Sequence, residues 1–393
     1  FLGGGSTVTI AQRMFEGMNS FALLAIPLYT FAGFTMSKGG ISKRLMDFCY
    51  SIVGHIYGGL AHVNVLSSMI FAGISGSAVA DTAGVSGMFM PEMVRKGYSK
   101  NFTVAVTAIS STIGIIIPPS IPMVVIAGIC GISTGKLFLG GIIPGILCGL
   151  AQMIVSYFMA KKEGVPKEPG HFTIGPVLHG LWESWPALLM PIIIVGTITM
   201  GIVSPTEAGV IAVVYGLFAG GIIYRELKWE DIKFAFAETV RTSGRIFIVI
   251  GAAKLYTVML TTAGFDKWVA KTMLGFSTNP TVILVMILLI FFIVTMFMES
   301  IATLTLFMPI LYPIALGVGI DPIVLSVLIT VVIGVGLVTP PVGMCIYVAC
   351  DLMDVTVGEV FPTLVPFIAA TFVCIVLMVA FPQLILLPTY LMA

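Results

Sequence analysis

The sequence predicts an all-α polytopic membrane protein, built as an inverted repeat with two re-entrant helical hairpins and two proline-broken helices. Of the 393 residues, 58% are hydrophobic and only 9% are charged, whereas a soluble domain carries about a quarter charged residues. The mean hydropathy is +1.10. The apolar residues form stretches that reach the roughly 20 residues a membrane-spanning helix needs. Several stretches carry polar or proline-rich interruptions, and these interruptions recur in the two halves of the chain.

The apolar stretches follow one another along the whole sequence. They run approximately over 18–36, 60–94, 101–132, 137–160, 186–203, 206–224, 244–263, 280–316, 322–350 and 361–382. Two further segments, 41–58 and 176–184, interleave aromatic and polar residues. That pattern is typical of helices lying in the membrane interface, although plain loops would also carry it.

Two interruptions lie in the first half. "FAGISGSAVADTAG" (71–84) is too polar and too rich in glycine for a helix facing lipid, and we interpret it as the tip of a re-entrant hairpin. In "STIGIIIPPSIP" (111–122), Pro118 and Pro119 split a helix, because proline removes a backbone donor and clashes with the preceding turn. Broken helices persist at membrane depth only where protein or water covers them, so both interruptions indicate a site.

The second half repeats the same order of a polar tip and a proline pair. "MFMESIATLTLFMP" (296–309) is followed by "GLVTPPVGM" (336–344). The spacing also repeats, since Pro119 to Pro144 and Pro341 to Pro366 are both 25 positions. Interrupted segments in corresponding positions of two halves indicate the binding site of a transporter.

The distribution of lysine and arginine predicts the orientation. If each hairpin enters and leaves on one side, one face collects fourteen cations: Lys38, Lys43, Arg44, Arg95, Lys96, Lys100, Lys161, Lys162, Lys167, Arg225, Lys228, Lys233, Arg241 and Arg245. The other face collects Arg13, Lys136, Lys267 and Lys271. The first face is therefore predicted to be cytoplasmic. The first hairpin then opens from the cytoplasm, the second from outside, and the C-terminus lies in the periplasm.

The interruptions supply the candidate ligands. Hydroxyl, carbonyl and carboxylate oxygens at the first tip suit an alkali cation, although small residues there could simply permit tight helix packing. Asp81 and Glu299 are ionisable at membrane depth, which favours a functional role, or they cap helix N-termini. Lys254 either attracts a substrate carboxylate or extends its charge to the interface. The candidate substrate ligands are Ser75, Ser77, Asp81, Ser120, Lys254, Glu299, Ser300 and Thr303.

Other function classes receive little support from the sequence. "GISG" (73–76) resembles the serine motif of intramembrane proteases, but the later histidines, His171 and His179, lie in a charged loop and not on a membrane helix. The net charge of +1 gives no indication of nucleic acid. The six cysteines show no CxxC pair, and no nucleotide-binding motif is present. An enzyme is therefore not expected, and an intramembrane hydrolase using Ser75 is the weaker alternative.

The motifs resemble the large membrane subunit of tripartite ATP-independent periplasmic (TRAP) transporters. The resemblance rests on "NSFALLAIPLYTFAGFTM", "GGLAHVNVLSSMIFAGISGSAVADTAG", "TAISSTIGIIIPPSIPMVVIAG", "LFLGGIIPGIL", "SPTEAGVIAVVYGL" and "LVTPPVGMCIYVA". It implies a Na⁺-coupled elevator carrier in the bacterial inner membrane, with a small four-helix membrane subunit and a periplasmic substrate-binding protein as partners. The chain departs from the family by lacking the first membrane segment before "AQRMFEGMNSF", which suggests that an N-terminal piece is missing.

The resemblance also implies a division of the chain and a set of Na⁺ ligands. Hairpins and broken helices would form the transport domain over 60–135 and 280–353, with scaffold helices over 1–59, 136–279 and 354–393. The implied Na⁺ ligands are Ser75, Gly76, Ser77, Ser111, Gly114, Pro118, Pro119, Glu299, Gly336, Thr339, Pro340, Pro341 and Gly343. The expected cargo is a small organic anion such as a C4-dicarboxylate. A stand-alone ion-coupled carboxylate transporter, working without a binding protein, is the alternative.

Overall fold

Helices make up nearly all the regular structure. The computed structural model describes residues 7–165 and 173–392, and those ranges contain no strand. The first half comprises α1 (Thr7–Met18), α2 (Ala25–Lys38), α3 (Ile41–Val53), α4 (Gly59–Ser75), α5 (Ala78–Arg95), α6 (Lys100–Ser111), α7 (Ile121–Cys130), α8 (Thr134–Glu163) and α9 (Ile174–Thr199). The second half comprises α10 (Pro205–Phe218), α11 (Trp229–Thr262), α12 (Phe265–Phe276), α13 (Pro280–Thr295), α14 (Ser300–Gly317), α15 (Pro322–Gly336), α16 (Met344–Met353), α17 (Val357–Ala380) and α18 (Gln383–Leu386).

The helices are those of a multi-pass membrane protein. Within the described ranges, seven are long and apolar enough to cross a bilayer: 21–38, 134–163, 174–199, 205–223, 229–262, 300–317 and 357–380. The remaining apolar helices are shorter and belong mostly to the four interrupted stretches.

Both predicted tips are places where the chain reverses. α4 and α5 form a helical hairpin whose tip is Gly76 and Ser77, and α13 and α14 form a second hairpin whose tip spans 296–299. Gly76 has φ +65°, a left-handed conformation that costs glycine little because it has no Cβ. Ser77 then caps α5 by accepting a hydrogen bond from the Ala80 N–H (3.4 Å).

Both predicted proline breaks are also present. Helix α6 ends at Ser111, a short 3₁₀ turn follows, and α7 begins only after Pro118 and Pro119. In the second half, 337–343 separates α15 from α16 and contains Pro340 and Pro341. Each proline–proline peptide bond is cis.

The packing interlocks the two halves. The second arm of each hairpin lies against the second segment of the other half's broken helix, so that α5 packs on α16 and α14 packs on α7. Helices α8 and α17 pack on each other, and they also contact α6 and α15. A separate group joins α2 to α10 and α11, α1 to α11, and α9 to α3 and α10. The interruptions of both halves therefore meet inside one helical body.

Three elements differ from the sequence expectations. Segment 176–184 is neither a separate interfacial helix nor a loop, because it forms the first turns of the continuous helix α9. The apolar stretch at 244–263 is only the second half of α11, whose first turns are amphipathic. Helix α12 was not predicted, because its charged residues interrupt the apolar pattern. Segment 41–58 contains the amphipathic helix α3, and its relation to a membrane surface stays a prediction.

Candidate functional site

The first hairpin tip lies directly against the first proline break. The Ile121 N–H donates a hydrogen bond to the Gly76 carbonyl oxygen (3.2 Å). A Cβ at Gly76 would come within 2.6 Å of the Pro119 oxygen, so only glycine fits this approach. Ser120 is buried and caps α7, since its hydroxyl accepts from the Met123 N–H (3.3 Å) and donates to the Ile115 oxygen (2.5 Å).

The second tip makes an equivalent contact with the second break. Here the Val342 N–H donates to the Met296 carbonyl oxygen (2.9 Å). The Glu299 carboxylate accepts from the N–H groups of Ile301 (2.8 Å) and Ala302 (3.2 Å), and from the Ser300 hydroxyl (2.6 Å). Glu299 is therefore the N-cap of α14, one of the two roles that the sequence left open.

Asp81 lies behind the first tip. Its side chain is 2% exposed and accepts a hydrogen bond from the Ser75 hydroxyl, and its Oδ2 atom has no hydrogen-bond partner in the protein. Oδ2 faces Gly114 in the broken helix so closely that an added Cβ there would overlap it. Asp81 stands in the first turn of α5 while Ser77 caps that helix. A buried carboxylate oxygen without a partner requires a proton or a cation.

The backbone at both breaks offers oxygen atoms. Within the described ranges the carbonyls of Pro118, Pro119, Thr339 and Pro340 accept no hydrogen bond. Their neighbours are less available, since the Ser111 hydroxyl donates to the Thr107 oxygen (2.8 Å) and the Thr339 hydroxyl to the Val335 oxygen (2.7 Å).

Gly114 and Gly336 each precede a proline pair by four positions, and each lies against the hairpin of its own half. An added Cβ at Gly336 would overlap the Thr295 side chain of α13, as one at Gly114 would overlap Asp81. Gly343, which precedes α16, has φ +32°. The implied Na⁺ ligands of each half are thus neighbours, and their role stays a prediction.

A cavity of about 400 Å³ separates the two tips. It is bounded by the hairpin tips, by the ends of both breaks and by one face of α11: Gly76, Ser77, Ala78, Val79, Ile115, Ile121, Pro122, Thr242, Arg245, Ile246, Val249, Glu299, Ser300, Ile301, Leu337 and Met344. We call it the tip cavity. The first residues of four helices, α5, α7, α14 and α16, are all in its wall.

Only some of the candidate substrate ligands line the tip cavity. Ser77, Glu299 and Ser300 line it. Ser75, Asp81, Ser120 and Thr303 do not, because they are packed behind the tips. Lys254 lies in a second cavity further along α11.

Arg245 is the cavity residue that the sequence analysis missed. The sequence analysis assigns this arginine to the cytoplasmic face, among the fourteen cations that the hairpin topology collects there. In the structure it lies near the middle of the 34-residue α11 and lines the tip cavity. The predicted apolar stretch begins at 244, so no sequence pattern indicated that Arg245 lies in the middle of a longer helix.

Among the residues that the structure describes, no hydrolytic centre forms around Ser75. Its hydroxyl donates to the Asp81 carboxylate, whereas His62, at the foot of the same hairpin, places Nε2 3.1 Å from the Tyr57 oxygen. A serine nucleophile needs a base within hydrogen-bond reach of its hydroxyl, usually held by a third group. His171 lies outside the described residues. His179 was expected in a loop but lies in the first turns of α9, where its Nε2 atom is 3.8 Å from the Glu183 carboxylate.

Relatives of this chain are transport permeases. The family model for the tripartite ATP-independent periplasmic transporter, DctM component, matches residues 1–384. The sialic acid TRAP transporter large permease protein of Vibrio cholerae is 36% identical over 96% of this chain and 88% of its own length. The C4-dicarboxylate large permease protein of Pseudomonas aeruginosa is 34% identical over 98% and 90%.

One further relative differs in length, and one solved structure shares the fold. The isethionate TRAP transporter permease protein of Oleidesulfovibrio alaskensis is 37% identical over 92% of this chain, which spans only 57% of that protein. The crystal structure of the YdaH transporter of Alcanivorax borkumensis has a TM-score of 0.63 at 12% identity, covering 94% of this chain and 86% of that one. That likeness concerns the fold alone. On the family match and the close relatives, this chain belongs to the DctM family, the large permease component of tripartite ATP-independent periplasmic transporters.

Proposed function

We propose that this chain carries out Na⁺-coupled import of a small organic anion, and that the anion binds in the tip cavity. The observation that carries the proposal is the convergence of four helix N-termini and Arg245 on one cavity. Each helix N-terminus brings the positive end of its dipole to the cavity wall, which favours an anion there. Some first-turn N–H groups are already capped, as by Ser77 in α5, Ser120 in α7 and Glu299 in α14. The single carboxylate in the described wall, Glu299, already accepts hydrogen bonds from α14.

The substrate class follows from charge and size. Arg245 offers a planar guanidinium that pairs with a carboxylate through two hydrogen bonds. Relatives are named for C4-dicarboxylate, sialic acid and isethionate, all of which are small organic acids. We propose a carboxylate and, within that class, a C4-dicarboxylate as the first candidate.

Sodium coupling is proposed from the ligands behind each tip. Around the first tip, the partnerless Asp81 oxygen, the Ser75 hydroxyl and the free carbonyls of Pro118 and Pro119 form a set of hard oxygen ligands. The second set is the free carbonyls of Thr339 and Pro340 beside Gly336 and the 296–299 tip. Sodium binding there would neutralise buried negative charge and fix each tip before the anion arrives.

The assembly is proposed from family membership. A small four-helix membrane subunit and a periplasmic substrate-binding protein would complete the transporter in the lipid bilayer of the bacterial inner membrane. From the positive-inside bias we propose that the first hairpin opens on the cytoplasmic side and that the C-terminus lies in the periplasm.

Packing supports an elevator movement with a revised division of the chain. Helices α8 and α17 pack on α6 and α15, within the body that holds the hairpins. We therefore assign α4–α8 and α13–α18 to the moving body, and α1–α3 and α9–α12 to the frame. This division moves 136–165 and 354–392 out of the scaffold expected from the sequence.

Uptake into proteoliposomes tests the proposal. Radiolabelled C4-dicarboxylates, sialic acid and isethionate are offered with an inward Na⁺ gradient, with and without the binding protein and the small subunit. We expect uptake of one acid only when Na⁺ and both partners are present. Equal uptake with choline in place of Na⁺ would refute the coupling, and uptake without the binding protein would favour a stand-alone carrier.

A further inference from the structure

A second polar cavity of about 370 Å³ lies next to the tip cavity. Three helices line both cavities, each passing from the wall of one cavity into the wall of the other. On α7 the wall passes from Ile121 to Val125, and on α14 it passes from Ile301 to Thr305. On α11 it passes from Val249 to Ile250 and Lys254. The second cavity is therefore the next space along the boundary between the moving body and the frame.

The chemistry of this cavity favours an anion. Lys254, Asn19 and Ser20 line it, and their side chains carry an ammonium, an amide and a hydroxyl. Within the described ranges none of these three groups has a hydrogen-bond or ion-pair partner in the protein. The one carboxylate in the wall, Glu16, is held by Arg13 through an ion pair of 2.8 Å. The positive charge of Lys254 is therefore left uncompensated.

The position of Lys254 is fixed by packing. A Cβ at Gly17 would come within 2.6 Å of the Lys254 Cβ, so the lysine stem lies directly over the end of α1. The aliphatic part of the side chain is covered by α1, and the exposed ammonium is free to meet a ligand. A lysine that merely extended its charge to a lipid headgroup would not need other hydrogen-bond donors lining the same cavity.

We propose that this Lys254 cavity is an access site for the transported organic anion, occupied before the anion reaches the tip cavity. The proposal rests on the proposed function for the identity of its ligand, a carboxylate or sulfonate. Lys254 attracts the anion, and Asn19 and Ser20 donate hydrogen bonds to it. Arg245 and the helix N-termini in the adjacent cavity then bind it for transport.

A thiol placed in the wall tests the site without relying on transport. Ser20→Cys exchanges the hydroxyl for a thiol of similar shape while leaving Lys254 in place. Its reaction rates with anionic sulfonatoethyl methanethiosulfonate and with the cationic trimethylammonium analogue are compared, and labelling of the chain without this thiol is subtracted. Adding Lys254→Met should lower the anionic-to-cationic rate ratio about two- to fivefold, the range for an exposed charge pair. Lys254→Arg should preserve the ratio.

Lys271→Met is the matched control, because it removes an exposed lysine on α12, outside this cavity. An unchanged ratio in Lys254→Met, or an equal fall in Lys271→Met, would overturn the site. In the uptake assay, Lys254→Met should raise KM about two- to fivefold with little change in the maximal rate. An unaltered KM alongside active uptake would remove the cavity from the anion's route. If no acid is taken up at all, the proposed function fails while the reagent ratio still decides whether the anion site exists.

Discussion

At the scale of single residues, Arg245 determines the electrostatics of the tip cavity. Glu299, the other charged side chain in the described wall, already accepts hydrogen bonds from Ile301, Ala302 and Ser300. The arginine is therefore free to pair with a ligand. Arg245 comes from α11 and not from a hairpin, so in the proposed division the frame would supply this charge and the moving body would supply the helix N-termini. An anion between them would be held by both proposed bodies.

Replacing Arg245 should weaken substrate binding strongly. For Arg245→Gln we expect kcat/KM for uptake to fall about tenfold, a value discounted because this arginine is exposed. Arg245→Lys should retain part of the activity, because it keeps the charge and loses the two-pronged geometry. Arg241→Gln is the control, since Arg241 is one turn earlier, exposed, and pairs with Glu238 at 2.6 Å. Equal losses in the two glutamine variants would contradict the assignment.

Asp81 should control the response to sodium. Asp81→Asn keeps the shape and removes the charge of the partnerless oxygen, so the Na⁺ concentration for half-maximal uptake should rise about tenfold, as for a lost charged ligand. The measurement is uptake against external Na⁺ at saturating anion. Glu92→Gln removes another carboxylate from α5, one that pairs with Arg95 at 2.5 Å near the helix end. An unchanged Na⁺ response in Asp81→Asn would remove this residue from the coupling site.

At the scale of elements, the sequence predicted the hairpin tips and the helix breaks, which depend on the backbone properties of glycine and proline. Both hairpin tips and both proline breaks were visible, because glycine–serine clusters and proline pairs inside apolar stretches are typical of interrupted membrane helices. Helix α12 and the first half of α11 were not predicted, because the charged residues of an amphipathic helix give a sequence pattern similar to that of a loop.

The residues of the tip cavity were likewise predictable only in part. Ser77, Glu299 and Ser300 were found because they belong to the tips themselves. Arg245 was missed because its place depends on how α11 packs against another element, which no local pattern encodes. Asp81 and Ser120 were selected because they are polar residues within the interruptions. Their positions behind the tips depend on how closely hairpin and break approach in three dimensions.

The close approach of hairpin and broken helix makes Gly114 sensitive to a single methyl group. Gly114→Ala would place a Cβ against the Asp81 carboxylate, and overpacking of this kind costs about 1–3 kcal/mol. We expect a lower melting temperature of the purified protein and a loss of Na⁺-dependent uptake.

The control for this change is another glycine of the same hairpin. Gly84 lies within α5, and an added Cβ there meets nothing within 4 Å. Gly84→Ala should therefore leave uptake unchanged and stabilise the helix by about 0.5–1 kcal/mol. A Gly114→Ala protein as stable and active as Gly84→Ala would show that the hairpin and the break do not approach as described.

At the scale of the whole molecule, the packing separates helices that should move together from helices that should slide. The side chains of Cys148 and Cys374 are in contact between α8 and α17, and both helices belong to the proposed moving body. By contrast, the Thr257 hydroxyl of α11 lies 3.5 Å from the Thr305 oxygen of α14, across the proposed boundary.

Cross-linking across that boundary should therefore stop transport, whereas cross-linking within the moving body should not. We expect the double variant Thr257→Cys with Thr305→Cys to lose uptake after treatment with copper phenanthroline and to recover it with dithiothreitol, because the disulfide joins frame to moving body.

The unsubstituted chain, treated identically, is the control, since oxidation of its Cys148 and Cys374 would join two helices that travel together. Mass spectrometry establishes which bonds form. Undiminished uptake in a fully cross-linked double variant would exclude sliding at this boundary, and loss of uptake on forming the Cys148–Cys374 bond would return α17 to the frame.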